Sequence, residues 1–326
     1  MPRPAPSRLR APAPLLYLGL SPEESRIANA RVAIVPAPFD QTTSYLPGTR
    51  FGPKAILEAS RQVEFYDEEL DREPFAIGVA TLEEIAVDPA DLEAGLRRLE
   101  GVTDDLAAKG VVPLTLGGEH TLTLAPVGAL ARRFPGLSVL QLDAHLDLRD
   151  SYQGTKLSHA CVMRRVRDLG IPTVAVGIRS VSREEADYVH AVKAPVFLGR
   201  EIRERALPID AILAELGNPV YVTVDLDAFD PAFVPGVGTP EPGGLTWNEG
   251  LALLRAVFER RQVVGMDVVE LCPIPGQIVS DFFAAKLVNK MIGYLGLAPA
   301  AAEGASRRAA PGGGRARPAA ARRRKR

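Results

Sequence analysis

Six side chains able to hold a metal ion fall into three tight groups along this chain: His120; Asp143, His145 and Asp147; and Asp225 with Asp227. Alternate residues of an extended segment project to the same side. Asp143, His145 and Asp147 can therefore converge while Ala144 and Leu146 point away, and Asp225 and Asp227 do likewise. Carboxylates crowded together without a counter-charge repel, raise their own pKa values and destabilise a fold, and a bound cation resolves the conflict. Four Asp and two His exceed the needs of one four-coordinate zinc and suit two ions about 3.5 to 4 Å apart with carboxylates bridging them. Oxygen-rich ligation mixed with imidazole and free of thiolate favours two Mn²⁺, with Co²⁺, Fe²⁺, Ni²⁺ and Zn²⁺ as open alternatives.

Such groups need a scaffold, and the surrounding apolar pattern describes one. Strand-like runs occur at Val32 to Pro36, Val111 to Leu116, Leu137 to Leu142, Val174 to Ile178, Pro195 to Leu198, Val220 to Val224 and Gln262 to Val268. The best are almost continuously apolar, as parallel strands covered on both faces must be. Helical patterns fill the gaps at 53–61, 90–109, 121–133, 160–169, 182–191, 207–216, 248–260 and 280–295. Asn248 is placed to cap one helix, which Leu251, Leu254 and Phe258 line on one face; Ser280 is placed to cap the last. The expected fold is a single α/β three-layer α/β/α sandwich on a mostly parallel sheet, without internal repeat and without a linker inside residues 31–298. The polar groups, together with Gly117-Gly118-Glu119 before His120 and with Glu270, sit where strands should end. Open parallel sheets gather ligands beyond the carboxyl ends of their strands, so four strands can supply one crevice.

The motifs carrying these residues are Leu116-Gly117-Gly118-Glu119-His120, Asp143-Ala144-His145-Leu146-Asp147, and the run from Val224-Asp225-Leu226-Asp227 through Asp230-Pro231 and Gly238-Thr239-Pro240 to Gly243-Gly244-Leu245. With Pro38-Phe39-Asp40 through Gly52-Pro53 and with Asp267-Val268-Val269-Glu270, they resemble the ureohydrolase (arginase/agmatinase) family, agmatinases most of all, over roughly residues 30–296. The resemblance implies an arginase-like fold in which His120 and Asp147 complete one manganese, His145 and Asp227 the other, and Asp143 and Asp225 bridge the pair around a water or hydroxide. It implies Glu270 as the carboxylate that orients a guanidinium and His159 as the proton shuttle, with a pKa near neutrality. It also implies a homo-oligomer, trimer or hexamer, that hydrolyses agmatine to putrescine and urea within polyamine biosynthesis; two cysteines without a C-x-x-C pair fit a reducing, cytoplasmic location. Arginases carry a Ser-Gly-Asn patch before the shuttle histidine, and Lys156-Leu157-Ser158 stands there instead, which favours a substrate without α-amino and α-carboxylate groups. Arginine, guanidinobutyrate, guanidinopropionate and formimidoylglutamate are the alternative substrates, and Lys156 could meet a carboxylate. A deacetylase-like amidohydrolase would hold one zinc and lack the Asp225–Asp227 pair. A catalytically silent metal-binding scaffold would have no need of His159 and Glu270.

Composition bounds these readings. The 326 residues are 46% hydrophobic and 24% charged, which excludes a disulfide mini-protein, a collagen-like repeat or a wholly disordered chain. The net charge of −1 divides into a basic tail, nine Lys or Arg and no acid over 304–326, and a body at −10. Residues 1–30 read as a Pro- and Arg-rich lead-in of poor core material, 31–298 as the catalytic domain and 299–326 as a disordered basic tail. That tail lacks the aromatic residues that stack on bases, so it reads as solvated rather than as a nucleic-acid partner. No run approaches the ~18 apolar residues of a membrane span. Cys161 and Cys272, the only cysteines, pair with no base and read as inert packing. His190 reads as an exposed helix residue, and Asp230 before Pro231 as a turn-former.

Overall fold

The computed structural model describes residues 15–297; the expected basic tail, 299–326, and the first 14 residues lie outside that range. Eight strands form one sheet: β1 (Val32–Ala37), β2 (Val79–Thr81), β3 (Val112–Gly117), β4 (Ser138–Leu142), β5 (Thr173–Ile178), β6 (Val196–Leu198), β7 (Val220–Asp225) and β8 (Val263–Val269). Their order is β2-β1-β3-β8-β7-β4-β5-β6, and every pairing is parallel. Parallel neighbours require crossover connections, which helices supply: α1 (Gly52–Ser60), α2 (Leu92–Ala108), α3 (Leu124–Arg133), α4 (Val162–Asp168), α5 (Arg183–Val192), α6 (Gly199–Arg205), α7 (Ile209–Glu215), α8 (Trp247–Arg260) and α9 (Val279–Leu295).

Strand alternation sorts the core into two faces. Val220, Val222 and Val224 of β7 point into a core shared with α1, α6, α7, α8 and α9, while Tyr221 points into the core under α3 and α4. Leu96, Leu99 and Leu106 of α2 cover β1 on that second side. The sheet is therefore sandwiched between helical layers, as its near-continuous apolar strands require.

Several expectations change in detail. β2 and α6 were not anticipated: a three-residue edge strand and a seven-residue helix are too short for a periodic pattern. Asn248 does not cap α8. Thr246 does, accepting from Glu249 N while Glu249 reaches back to the Thr246 backbone, a reciprocal box that satisfies two orphan donors. Nor does Ser280 cap α9; it lies inside that helix, buried, and its Oγ accepts from Gly236 N at 2.8 Å. The lead-in is not loose throughout. Tyr17, Leu18 and Leu20 are buried, Leu18 N donates to Ser60 Oγ on α1, and Tyr17 OH reaches Asn289 Oδ1 on α9. Among the described residues no helix is long and apolar enough to cross a membrane.

Candidate active site

The four central strands, β3, β8, β7 and β4, are neighbours, and each ends in one of the polar groups. After β3 the chain turns through Gly118 and Glu119 into a short 3-10 turn that begins at His120. Gly118 is required there: a Cβ would stand 1.8 Å from the Phe39 carbonyl oxygen. Asp143 follows β4, Asp225 ends β7, and Glu270 follows β8. Asp147 and Glu270 adopt positive φ, 54° and 65°, a conformation costly for residues with a Cβ and one that concentrates at functional sites.

His120 Nδ1 faces three carboxylates at once, Asp143 Oδ2 at 3.2 Å, Asp147 Oδ2 at 3.1 Å and Asp225 Oδ2 at 3.3 Å. A second group shares Asp143: His145 Nδ1 lies 3.6 Å from Asp143 Oδ1 and 2.9 Å from Asp227 Oδ2. Both groups are close enough to surround an ion each. All six side chains expected from the sequence are thus brought together, and Asp143 stands between the two groups.

The donor set fits divalent metal. Asp267, fully buried, accepts hydroxyl protons from Thr123, Tyr221 and Thr223, the last at 2.6 Å. A Thr223 hydroxyl that donates to Asp267 must accept from His120 Nε2, 2.8 Å away, so the ring proton sits on Nε2. In the neutral ring His120 Nδ1 is then a lone pair, buried among three carboxylates and without a hydrogen-bond partner of its own. Holding the outer ring nitrogen in this way is how proteins present the other to a metal. The charges agree. Burial and the charge of Asp143 push Asp147 up to about 7; burial, Asp227 and Asp143 push Asp225 well above its ordinary value. Burial opposes protonation of His120, but the facing carboxylates outweigh it and raise its pKa strongly. Cations at these two positions relieve all three conflicts.

A cavity of ≈ 350 Å³ opens over this centre, with His159, Glu270, Tyr152, Arg149 and Glu241 in its wall. Glu270 Oε1 accepts from His120 N at 2.7 Å, and burial and the nearby Glu119 raise its pKa, against the pull of that bond and of His120. His159 opens a short 3-10 turn before α4, and its ring stands at 85° to that of Tyr152, centroids 5.8 Å apart. Burial lowers its pKa to about 4, not near neutrality as expected, so the neutral ring is its resting form at pH 7. Lys156 is not in the cavity wall; it pairs with Asp150 at 3.2 Å. Asp230 is the turn-former expected, its carboxylate accepting from Ala232, Gly243 and Gly244 N.

Sequence reasoning gave no part to Thr42, Gln141, Arg179 or Thr223, and named Glu119 and Asp267 only as members of their motifs, without a role. Gln141 Nε2 donates to Asp143 Oδ2 at 2.8 Å. The Arg179 guanidinium ties the Asp227 carbonyl to that of Glu241 at 2.6 and 2.7 Å. The findable signals were Thr223 and Asp267, polar residues inside otherwise apolar strands.

An all-parallel α/β/α sandwich with two carboxylate–histidine groups beyond its central strands defines a class of metal-dependent hydrolases. The chain belongs to the arginase family, whose model matches residues 30–293. It is 44% identical over 276 residues to the N(1)-aminopropylagmatine ureohydrolase of Synechocystis sp., covering 82% of this chain and 90% of that one. The agmatinase of Pyrococcus horikoshii is 36% identical, over 82% of this chain and 93% of its own length. Among solved structures, the agmatine ureohydrolase of Thermoplasma volcanium superposes with a TM-score of 0.76 at 33% identity, over 83% of this chain and 92% of that one. The protein is thus a ureohydrolase-type enzyme that acts on carbon–nitrogen bonds, in a family that depends on two metal ions.

Proposed function

We propose that residues 31–298 form a catalytic unit that hydrolyses the guanidino group of a cationic alkylguanidine, releasing urea and an amine. Agmatine, giving putrescine, and its aminopropyl derivative are the substrates we favour. The observation that carries this reading is the pair of histidine–carboxylate groups sharing Asp143 beneath a cavity walled by His159 and Glu270. His120 and Asp147 would hold one Mn²⁺, His145 and Asp227 the other, with Asp143 and Asp225 between them. When bound, the two ions supply a water acidified towards neutrality as the nucleophile.

The remaining work falls to the chain's own residues. Guanidinium is a poor electrophile because resonance spreads its charge, so its orientation over the nucleophile matters. Glu270 keeps acceptor capacity beside its bond to His120 N and would take N–H bonds of the guanidinium. His159, neutral at rest, takes up the proton released as the nucleophile adds and hands it to the amine nitrogen as the carbon–nitrogen bond breaks. Of the carboxylates in the cavity wall, Asp147, Asp225 and Asp227 belong to the metal groups, Glu270 holds His120 N, and Glu185 closes the capping box of α5. Glu241, whose Oε1 lies 3.9 Å from His145 Nε2 and whose side chain stays partly exposed, would meet an ammonium tail. The relatives named for agmatine and aminopropylagmatine support such a substrate. A cytoplasmic location and a homo-oligomeric assembly belong to the same proposal.

A second reading has its own observation. Arg149 also lines the cavity, its guanidinium 5.1 Å above the Tyr152 ring, where it would meet the carboxylate of a guanidino acid. The test is purified protein with Mn²⁺ against agmatine, N(1)-aminopropylagmatine, arginine, guanidinobutyrate and guanidinopropionate, scored for urea, and formimidoylglutamate, scored for formamide. Preference for the two amines supports the first reading and preference for a guanidino acid the second. Absence of urea from every guanidino compound overturns both.

A further inference from the structure

Thr42 lies on the loop between β1 and α1 and is not in the cavity wall, yet its hydroxyl is the hub of the contacts that hold His159. Thr42 Oγ1 accepts from the His159 backbone N–H at 3.0 Å and stands 3.2 Å from His159 Nδ1, nearer than Ser158 Oγ at 3.4 Å. The same hydroxyl donates to Glu119 Oε1 at 3.0 Å, and the Thr42 backbone N–H donates to Glu119 Oε2 at 2.6 Å. Glu119 is fully buried and lies two residues after the end of β3, so Thr42 is fastened to the rigid centre of the sheet. On the other side of the ring, His159 Nε2 points to Ser44, a residue of the cavity wall, with Oγ at 3.5 Å.

From this arrangement we propose that Thr42 is a positioning residue for the reaction: it turns His159 Nδ1 away from the cavity, keeps the ring proton there, and presents Nε2 to the substrate. The inference rests on the reading of His159 as proton carrier. The bonding is directional. A hydroxyl has one proton, and when Glu119 takes it the same oxygen meets Nδ1 as acceptor, so Nδ1 carries hydrogen and Nε2 a lone pair. A proton acquired during turnover then enters at Nε2, on the cavity side, and leaves from the same atom towards the amine. Without the Thr42 hydroxyl, Nδ1 keeps only the longer contact to Ser158 Oγ at 3.4 Å, a hydroxyl able to donate as well as accept, so the ring can change tautomer and the proton-bearing atom is no longer fixed away from the substrate. Orienting partners of this kind are worth about 10- to 100-fold in activity.

Thr42→Val keeps shape and removes the hydroxyl; Thr42→Ser keeps the hydroxyl. The experiment measures kcat and KM of Mn²⁺-loaded wild type, both Thr42 variants and His159→Ala on whichever guanidino substrate the wild type turns over, with metal content and thermal unfolding of each. ¹⁵N chemical shifts of the His159 ring in metal-free wild type and Thr42→Val give a second readout. The expected result is a fall in kcat of about 10- to 100-fold for Thr42→Val with KM and metal content little changed, and recovery in Thr42→Ser. The ring should carry its proton on Nδ1 in wild type and lose that preference in Thr42→Val. Wild-type kcat in Thr42→Val beside a crippled His159→Ala overturns this inference alone. Full activity in His159→Ala overturns the proton-carrier reading and with it the catalytic part of the inference. A wild-type ring protonated on Nε2, or a tautomer unmoved by the valine, removes the hold itself, whatever the activities. Should Thr42→Val prove unfolded, Thr42→Ser decides with the wild-type spectrum: loss of kcat in the serine variant, or an Nε2 proton, counts against the proposal.

Discussion

Replacing Thr223 by Val keeps the outline of the side chain and deletes one hydroxyl between Asp267 and His120. That hydroxyl donates to Asp267 Oδ1 at 2.6 Å and lies 2.8 Å from His120 Nε2. Thr223, Asp267 and His120 are all fully buried, so water has no easy route to replace it. Two buried groups lose a partner, each at about 1–3 kcal/mol, and Asp267 keeps its bonds from Tyr221 and Thr123, so the metal-free fold should lose about 2–4 kcal/mol. The second consequence is specific. With no acceptor at Nε2, the His120 proton is free to move to Nδ1, the atom that faces Asp143, Asp147 and Asp225, and metal affinity should fall about 10- to 100-fold. Urea unfolding in chelator measures the first effect without the stabilisation that bound ions add. Manganese per chain after dialysis against graded free metal measures the second, and Thr223→Ser, which keeps the hydroxyl, should return towards wild type in both. A valine variant that binds two ions with wild-type affinity and unfolds at the wild-type midpoint in chelator would refute the chain of bonds from Asp267 to His120.

Other consequences follow from single contacts. Glu241, with its side chain 37% exposed, should contribute no more than a partly solvated ion pair, up to ~1 kcal/mol. Glu241→Gln should therefore raise KM for agmatine by about 2- to 5-fold with kcat unchanged; an unchanged KM would take the ammonium tail elsewhere. Lys290, on α9, is buried, with Nζ 2.8 Å from the buried Asp67 and 2.9 Å from Glu69. Lys290→Met strands the Asp67 charge and should cost about 3–5 kcal/mol in urea unfolding at pH 7. The pH dependence has a defined sign. Burial works against the Glu69 carboxylate, but Lys290, Arg255 and Tyr294 outweigh it and lower its pKa, so its contribution is complete above about pH 4.3 and lost as pH falls through the folded value. Burial likewise works against the Lys290 ammonium, but Asp67 and Glu69 outweigh it and raise its pKa, so its contribution is complete below about pH 10.4 and lost as pH rises through the folded value. The stability gap between wild type and Lys290→Met should narrow outside both limits, and a gap constant from pH 3 to 11 would contradict the assignment.

The ligands were legible because each follows a strong apolar run, and parallel strands place their carboxyl ends at one edge of the sheet whatever their order. That β3, β8, β7 and β4 lie side by side could not be read in that way, because long crossovers leave neighbour order open. The supporting residues were hidden for the same reason. Thr42 and His159 are 117 positions apart, and a threonine in a loop carries no mark of its partner. Ser280 looked like a cap because its type suits one, but the Gly236 N–H that it satisfies comes from a distant loop.

Thr223 and Asp267 differ, because their own strands marked them. On β7, Val220, Val222 and Val224 enter one core and Tyr221 the other, which sends Thr223 to the Tyr221 side with a hydroxyl that burial leaves in need of a partner. On β8, Asp267 stands between Met266 and Val268, a charge where burial permits none without several donors. Each strand thus announces a polar group in need of a partner, one with a proton to give and one that only accepts. Register joins them, Thr223 opposite Asp267 on adjacent strands, and the next atom beyond Thr223 is His120 Nε2. Where a buried strand breaks its apolar run, the useful question is which group beyond its end the break is there to hold.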